Sequence, residues 1–265
     1  MRQEQRLMNA TMIGAMSCRD ITLKPTLGEV AAQVANLEAD FTEQLAHSQD
    51  LRVIDGALFC DGERYELDPD IRKRLFIKAR APLLGGYSVR LQDIALSEHI
   101  QRRDFGNDIK LIRRGDRLVT VSRADLIELP CSAVLDAIST ELGTDGESLS
   151  VARIARDEER LELDLVSPAK AIDVRVGDIV QGGLHIEHTR YGDDAIKIQA
   201  FILRLKCSNG MTRRECVPGA DITRTRKLAA NHPSARALQL NQVRRLARLN
   251  WDSLEPQLIE LRATN

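Results

Sequence analysis

Hydrophobic and polar positions alternate with period two over several stretches of this chain and with a helical period over others. The clearest case is Arg160–Val166, where Leu161, Leu163 and Leu165 fall on one face and Glu162 and Asp164 on the other. That is the pattern of a strand in a sheet with one solvated side. Leu149–Arg156 precedes it across Asp157-Glu158-Glu159 and predicts a hairpin. Ile179–Thr189 and Ala195–Cys207 are the longest strand candidates, and Ile196, Ile198, Ala200 and Ile202 share a face that Arg204 and Lys206 continue. Ile109–Ile112 and Leu118–Val121 predict a further hairpin. Short strands at Leu51–Ile54, Ala57–Cys60 and Arg64–Leu67 are separated by Asp55-Gly56 and Asp61-Gly62, the turn residues of tight hairpins.

Helices are announced by their ends. Thr26-Leu27-Gly28-Glu29 has the spacing of a capping box, so a helix is expected from about 27 to 48. Asp68-Pro69 opens another through IRKRLFIKAR, because proline suits the first helical turn. Leu91–Arg103 predicts a third. Ser132–Leu142 predicts a fourth, stopped by Gly143 in a left-handed conformation. From about residue 220 the chain reads as helical, broken near His232-Pro233 and again between Trp251 and Pro256. The expected fold is α+β, a mainly antiparallel sheet of hairpins flanked by N- and C-terminal helices. Its expected parts are an acidic 1–69, a central core 70–219 and a basic helical 220–265.

Composition changes this picture mainly by exclusion. The chain has 265 residues, 43% hydrophobic and 29% charged, which is a folded globular composition large enough to bury a core without disulfides or metal. No apolar run approaches the ~18 residues of a membrane helix, and the N-terminus is too polar for a signal peptide. Five cysteines without a Cys-x-x-Cys read as reduced thiols, so the expected compartment is the cytoplasm.

Charge is uneven. Residues 1–69 carry 6 basic and 12 acidic side chains, 70–130 carry 13 and 8, 131–203 carry 7 and 14, and 204–265 carry 12 and 5. Within 204–248 the count is 11 against 2, in a protein of net charge −1. Arginine outnumbers lysine 30 to 8, and its planar fork grips phosphate at two points. A basic region this dense fits a nucleic acid, or carboxylates of the same chain or of a second copy.

Two places concentrate these cations. In Arg204–Arg214 the Asn209-Gly210 pair suits a two-residue type I′ turn, which sets Cys207 opposite Thr212, Lys206 opposite Arg213 and Arg204 opposite Glu215. Like charges directly opposite are destabilising unless an anion or water separates them, so Lys206 and Arg213 suggest a phosphate site. Further on, at about 100° per residue, Leu240, Val243, Leu246 and Ala247 form an apolar stripe with Arg244, Arg245 and Arg248 beside it. Arg214, Arg224, Arg226 and Lys227 complete the candidate nucleic-acid-binding set. Nine aromatics in the whole chain argue against base stacking and for backbone-phosphate contacts of low sequence specificity.

Other chemistry is poorly represented. His185 and His188, with Cys207, Cys216 and His232, supply metal-ligand types, but residues three apart on a strand point to opposite faces, so no metal is expected. Gly85-Gly86 and Gly182-Gly183 lack a phosphate-loop frame. Catalytic residues and cofactors are expected to be none.

The series Gly177-Asp178, Gly183, Gly192, then Arg204-Leu205-Lys206-Cys207-Ser208-Asn209-Gly210-Met211, resembles the phage/plasmid-like family known as domain of unknown function 932. LFIKARAP and IKLIRRGDRLVTVSRADLIEL are similar to its N-terminal half, so the resemblance covers roughly 70–232. Where that family tends to show an Asn-Ser-Glu-like step, this chain has Glu187-His188-Thr189. The resemblance implies residence on phages, plasmids and integrated elements and transfers no catalytic residue. The expected function is a non-enzymatic nucleic-acid-binding protein of such an element, acting on single-stranded DNA in recombination or transfer. The alternatives are a module that binds an acidic protein, such as an inhibitor of a host defence, and a nuclease with an unrecognised site.

Overall fold

A computed structural model describes residues 25–82, 86–102, 108–115, 117–143, 149–156, 160–175, 178–191, 196–205, 212–216, 223–225 and 234–263. The fold is α+β, with antiparallel sheets and helices toward both ends. It divides into two compact units, one holding the described residues of 25–37, 129–225 and 234–263, the other 38–128. Neither boundary expected at 69/70 and 219/220 coincides with this division. Ile71, Leu75 and Phe76 bury in the same apolar cluster as Leu51, Val53, Leu58 and Tyr65, so a cut at 69 would pass through one core.

In the first unit α1 (Leu27–Glu38) starts on the capping box. The Thr26 N–H donates to Glu29 Oε2 at 2.7 Å and the Glu29 N–H to Thr26 Oγ1 at 3.2 Å. The Thr26 N–H and hydroxyl, both donating to Glu29 Oε2, hold the Glu29 carboxyl below its ordinary pKa. After α4 (Cys131–Leu142) come β7 (Ser150–Arg156), β8 (Arg160–Arg175), β9 (Asp178–Thr189), β10 (Ile196–Leu205), β11 (Thr212–Cys216) and β12 (Thr223–Thr225). They form one antiparallel sheet in the order β11-β10-β9-β8-β7, with β12 also on β10. α5 (Ala235–Asp252) and α6 (Leu254–Ala263) follow. Leu161, Leu163, Leu165, Leu184, Ile186, Ile196 and Ile198 bury against Val30, Val34, Val134, Ile138, Val243, Ala247 and Trp251. The strand alternation read from sequence therefore marks the helix-covered face.

The second unit contains β1 (Phe41–His47), β2 (Arg52–Ile54), β3 (Ala57–Cys60), β4 (Glu63–Glu66), α2 (Pro69–Lys78), α3 (Val89–Gln101), β5 (Asp108–Arg114) and β6 (Arg117–Arg123). Two three-stranded sheets result, β1-β5-β6 and β2-β3-β4. Asp55 and Gly56 have φ of 49° and 78°, and Asp61 and Gly62 have 50° and 84°, the paired positive angles of type I′ turns. Asp68 caps α2 by accepting the N–H groups of Asp70 and Ile71.

Several expectations are corrected. The first helix ends at Glu38 rather than near 48, because 41–47 instead pairs antiparallel with β5, from Phe41 opposite Arg114 to His47 opposite Asp108. Strand β8 runs on past Val166 to Arg175 through a register shift between Val166 and Ala171. Gly143 caps α4 with φ −74°, right-handed, where a left-handed residue was expected. The region after 220 is not wholly helical, since Thr223–Thr225 pairs with Ile196–Ile198. The break expected between Trp251 and Pro256 is present, at Ser253, while the one expected at His232-Pro233 lies outside the described residues.

Candidate nucleic-acid interface

Strand β10 lies between β9 on one side and β11 and β12 on the other. The β10–β11 pairing is antiparallel as expected, but its register sets Phe201 opposite Cys216, Arg204 opposite Arg213 and Leu205 opposite Thr212. Arg204 therefore faces Arg213 and not Glu215, and the expected opposition of Lys206 and Arg213 does not hold. The two-residue turn expected at Asn209-Gly210 lies outside the described residues. A like-charge opposition is present all the same, moved to a different pair. A second occurs where Lys197 lies opposite Arg224 of β12. Arg213 and Arg214 are consecutive in a strand and so belong to opposite faces of the sheet. The register thus distributes these positions over both faces of the sheet rather than one.

α5 packs against β10 and β12, and its three arginines separate. Arg245 is exposed. Arg244 is half-buried and donates from Nη1 to Asn241 Oδ1 at 3.1 Å. Arg248 is committed within the fold, donating from Nε to Glu141 Oε1 at 3.2 Å and from Nη2 to the Glu141 carbonyl at 2.6 Å. The expected grouping of all three on a phosphate-facing surface is corrected for Arg248, because its helical position turns it toward the C-terminal end of α4. Lys206, Arg226 and Lys227 lie outside the described residues, as do Gly177, Gly192, Cys207, Asn209, Gly210 and Met211 of the motif series. Asp178 opens β9 opposite Arg175, and Gly183 sits inside β9 between Val166 and Phe201.

The face of this sheet away from the main core holds a charge network that sequence reasoning did not find. Asp164 Oδ1 lies 2.6 Å from His185 Nδ1, and His185 Nε2 lies 3.3 Å from Glu187 Oε1. Glu187 Oε2 accepts from Lys197 Nζ at 2.7 Å and from Arg160 Nη2 at 3.2 Å. Arg153 pairs with Glu162 at 2.9 Å. Burial pushes the Glu187 carboxyl up, but the bonds from Lys197 and His185 outweigh it and hold the pKa at about 2. Asp164, expected on a solvated face, is buried in this network. Its signal was present in part: each strand shows the alternation, but the cluster needs the β8–β9–β10 register, which sets Asp164 opposite His185 and Glu187 opposite Lys197.

His188 is buried separately, its Nε2 2.7 Å from the Leu129 carbonyl oxygen. Among the described residues no group of three or more histidine, cysteine or carboxylate side chains is arranged to hold a metal ion. None of the described helices is long and apolar enough to cross a membrane. No family model, curated protein or solved structure matches this chain. The resemblance to the phage/plasmid-like family rests on the motif series and on the stretches LFIKARAP and IKLIRRGDRLVTVSRADLIEL.

Proposed function

We propose that this chain is a non-enzymatic nucleic-acid-binding protein that holds the phosphate backbone along the β10–β11–β12 edge, with Arg245 of α5 contributing. The observation that carries this reading is the register: Arg204 opposite Arg213 and Lys197 opposite Arg224 are two like-charge pairs on the β11/β12 side of one sheet, seven residues apart along β10 and so on its two faces. Like charges in direct opposition weaken a sheet, and a bound polyanion turns that cost into binding energy. Arg214 lies next to this pair, and Lys206, Arg226 and Lys227 extend the basic segment in sequence. Scarce aromatics favour phosphate contacts over base stacking, hence low sequence specificity. The motif resemblance adds a setting, a phage, plasmid or integrated element in a cytoplasm, with single-stranded DNA in recombination or transfer as the substrate.

Fluorescence anisotropy with single- and double-stranded oligonucleotides at about 50 and 200 mM salt tests it. Binding should weaken steeply with salt, and Arg213→Glu should weaken it at least about tenfold across sequences and flatten the salt slope by about one. Salt-independent binding, or an unaffected Arg213→Glu variant, would overturn the reading. A second reading, an acidic protein as partner, draws on Arg248, an arginine of α5 that pairs with a carboxylate, that of Glu141. Oligonucleotide binding with the expected salt slope decides against it.

A further inference from the structure

Glu187 is the point on which three donors converge. Lys197 Nζ and Arg160 Nη2 both reach Oε2, at 2.7 and 3.2 Å, and His185 Nε2 stands 3.3 Å from Oε1. His185 is itself positioned by Asp164 at 2.6 Å, with its side chain 7% exposed. Two cations and an imidazole aimed at one pair of oxygens is the donor set a phosphate group would use. Here a side chain of the protein fills it. The site is not sealed, since the side chains of Arg160, Lys197 and Glu187 are 54%, 33% and 24% exposed. It also adjoins the basic edge, because Lys197 lies directly opposite Arg224.

We propose that Glu187 is an internal counter-anion of the basic edge, and that Lys197 and Arg160 are further phosphate contacts which nucleic acid must win from it. This rests on the nucleic-acid reading above. The arrangement selects for polyanions. A free phosphate competes poorly with a tethered carboxylate, whereas a polyanion already held elsewhere on the protein presents its next phosphates at high effective concentration. Neutral occupation of the site between binding events also limits self-repulsion among the edge cations.

The test compares Glu187→Gln, which keeps the shape and removes the charge, with Asp136→Asn, the same charge change at an exposed position on α4. A fluorescein-labelled single-stranded oligonucleotide is titrated at two salt concentrations, with inorganic phosphate as competitor. Glu187→Gln should bind about tenfold more tightly, with a salt slope steeper by about 0.7 per phosphate recruited. Lys197→Gln should cost about twofold in the parent and remove most of the gain in the Glu187→Gln background. Equal effects of Glu187→Gln and Asp136→Asn, or a gain independent of Lys197, overturn the proposal. Should Glu187→Gln fail to fold, Lys197→Gln alone decides: it should flatten the parent's slope by about 0.7, and an unchanged slope overturns the proposal. If the parent itself does not bind the oligonucleotide, the nucleic-acid reading falls. If the parent binds, Arg213→Glu loses binding and Glu187→Gln changes nothing, the edge stands and the counter-anion falls.

Discussion

A Cβ at Gly183 would lie 2.3 Å from the Leu165 carbonyl oxygen and 2.6 Å from the Phe201 ring. Neither neighbour is the loose end of a flexible chain, so the strands would have to part. Gly183→Ala should cost roughly 3 kcal/mol, read as a lowered urea midpoint at unchanged slope. A loss under about 1 kcal/mol would show that the backbone yields. Gly183 belongs to the motif series, and its place in β9 gives that residue a packing reason independent of any family. Local chemistry of this kind was legible in the sequence: Thr26 and Glu29 make their reciprocal bonds, and Asp55-Gly56 and Asp61-Gly62 take their paired positive φ angles. The Asp164–His185 bond was not, because 21 positions separate its partners and only the register of two long strands brings them together.

Element by element, β10 shows a helix side chain bonding to strand backbone. Among the described residues β12 pairs with Ile196–Ile198 and β11 with Phe201–Leu205, with Gln199 and Ala200 between them. The Ala200 N–H is taken by Asn250 Oδ1 of α5 at 3.3 Å, and Asn250 donates from Nδ2 to the Leu246 carbonyl at 3.0 Å. Asn250→Ala should therefore strand a buried N–H and lower stability by about 2 kcal/mol, with faster amide exchange at Ala200 than at its neighbours. Unchanged protection at Ala200 would mean that another acceptor replaces Asn250. Elements with strong local punctuation, such as α2 behind Asp68-Pro69, were legible to within a residue or two. β1 and β12 were not. Each is a short stretch without clear alternation, and its conformation comes from a partner strand remote in sequence.

At the scale of the whole molecule, charge blocks suggested cuts that the cores do not respect. Glu38–Glu128 is continuous and has its own apolar cluster of Leu51, Leu58, Ile71, Leu75, Leu96, Ile109 and Val121. Expressed alone, 38–128 should unfold cooperatively in urea, and a fragment with no sigmoidal transition would show that its core depends on the rest of the chain. Domain division was illegible because hydrophobic pattern identifies faces without saying which faces meet. The first unit, by contrast, is made of chain from either side of this insertion. Leu27 donates its N–H to the Leu149 carbonyl at 3.1 Å, and Val30 and Val34 bury with Val134, Leu135 and Leu149. Consider the order in which a ribosome supplies these parts. α1 emerges first, and roughly ninety residues of the other unit follow before its packing partners do. At about 5–20 residues per second that is on the order of 5–20 s. For that interval the nascent chain carries an amphipathic helix with its apolar side unmatched, and a chaperone that recognises such segments has its access then.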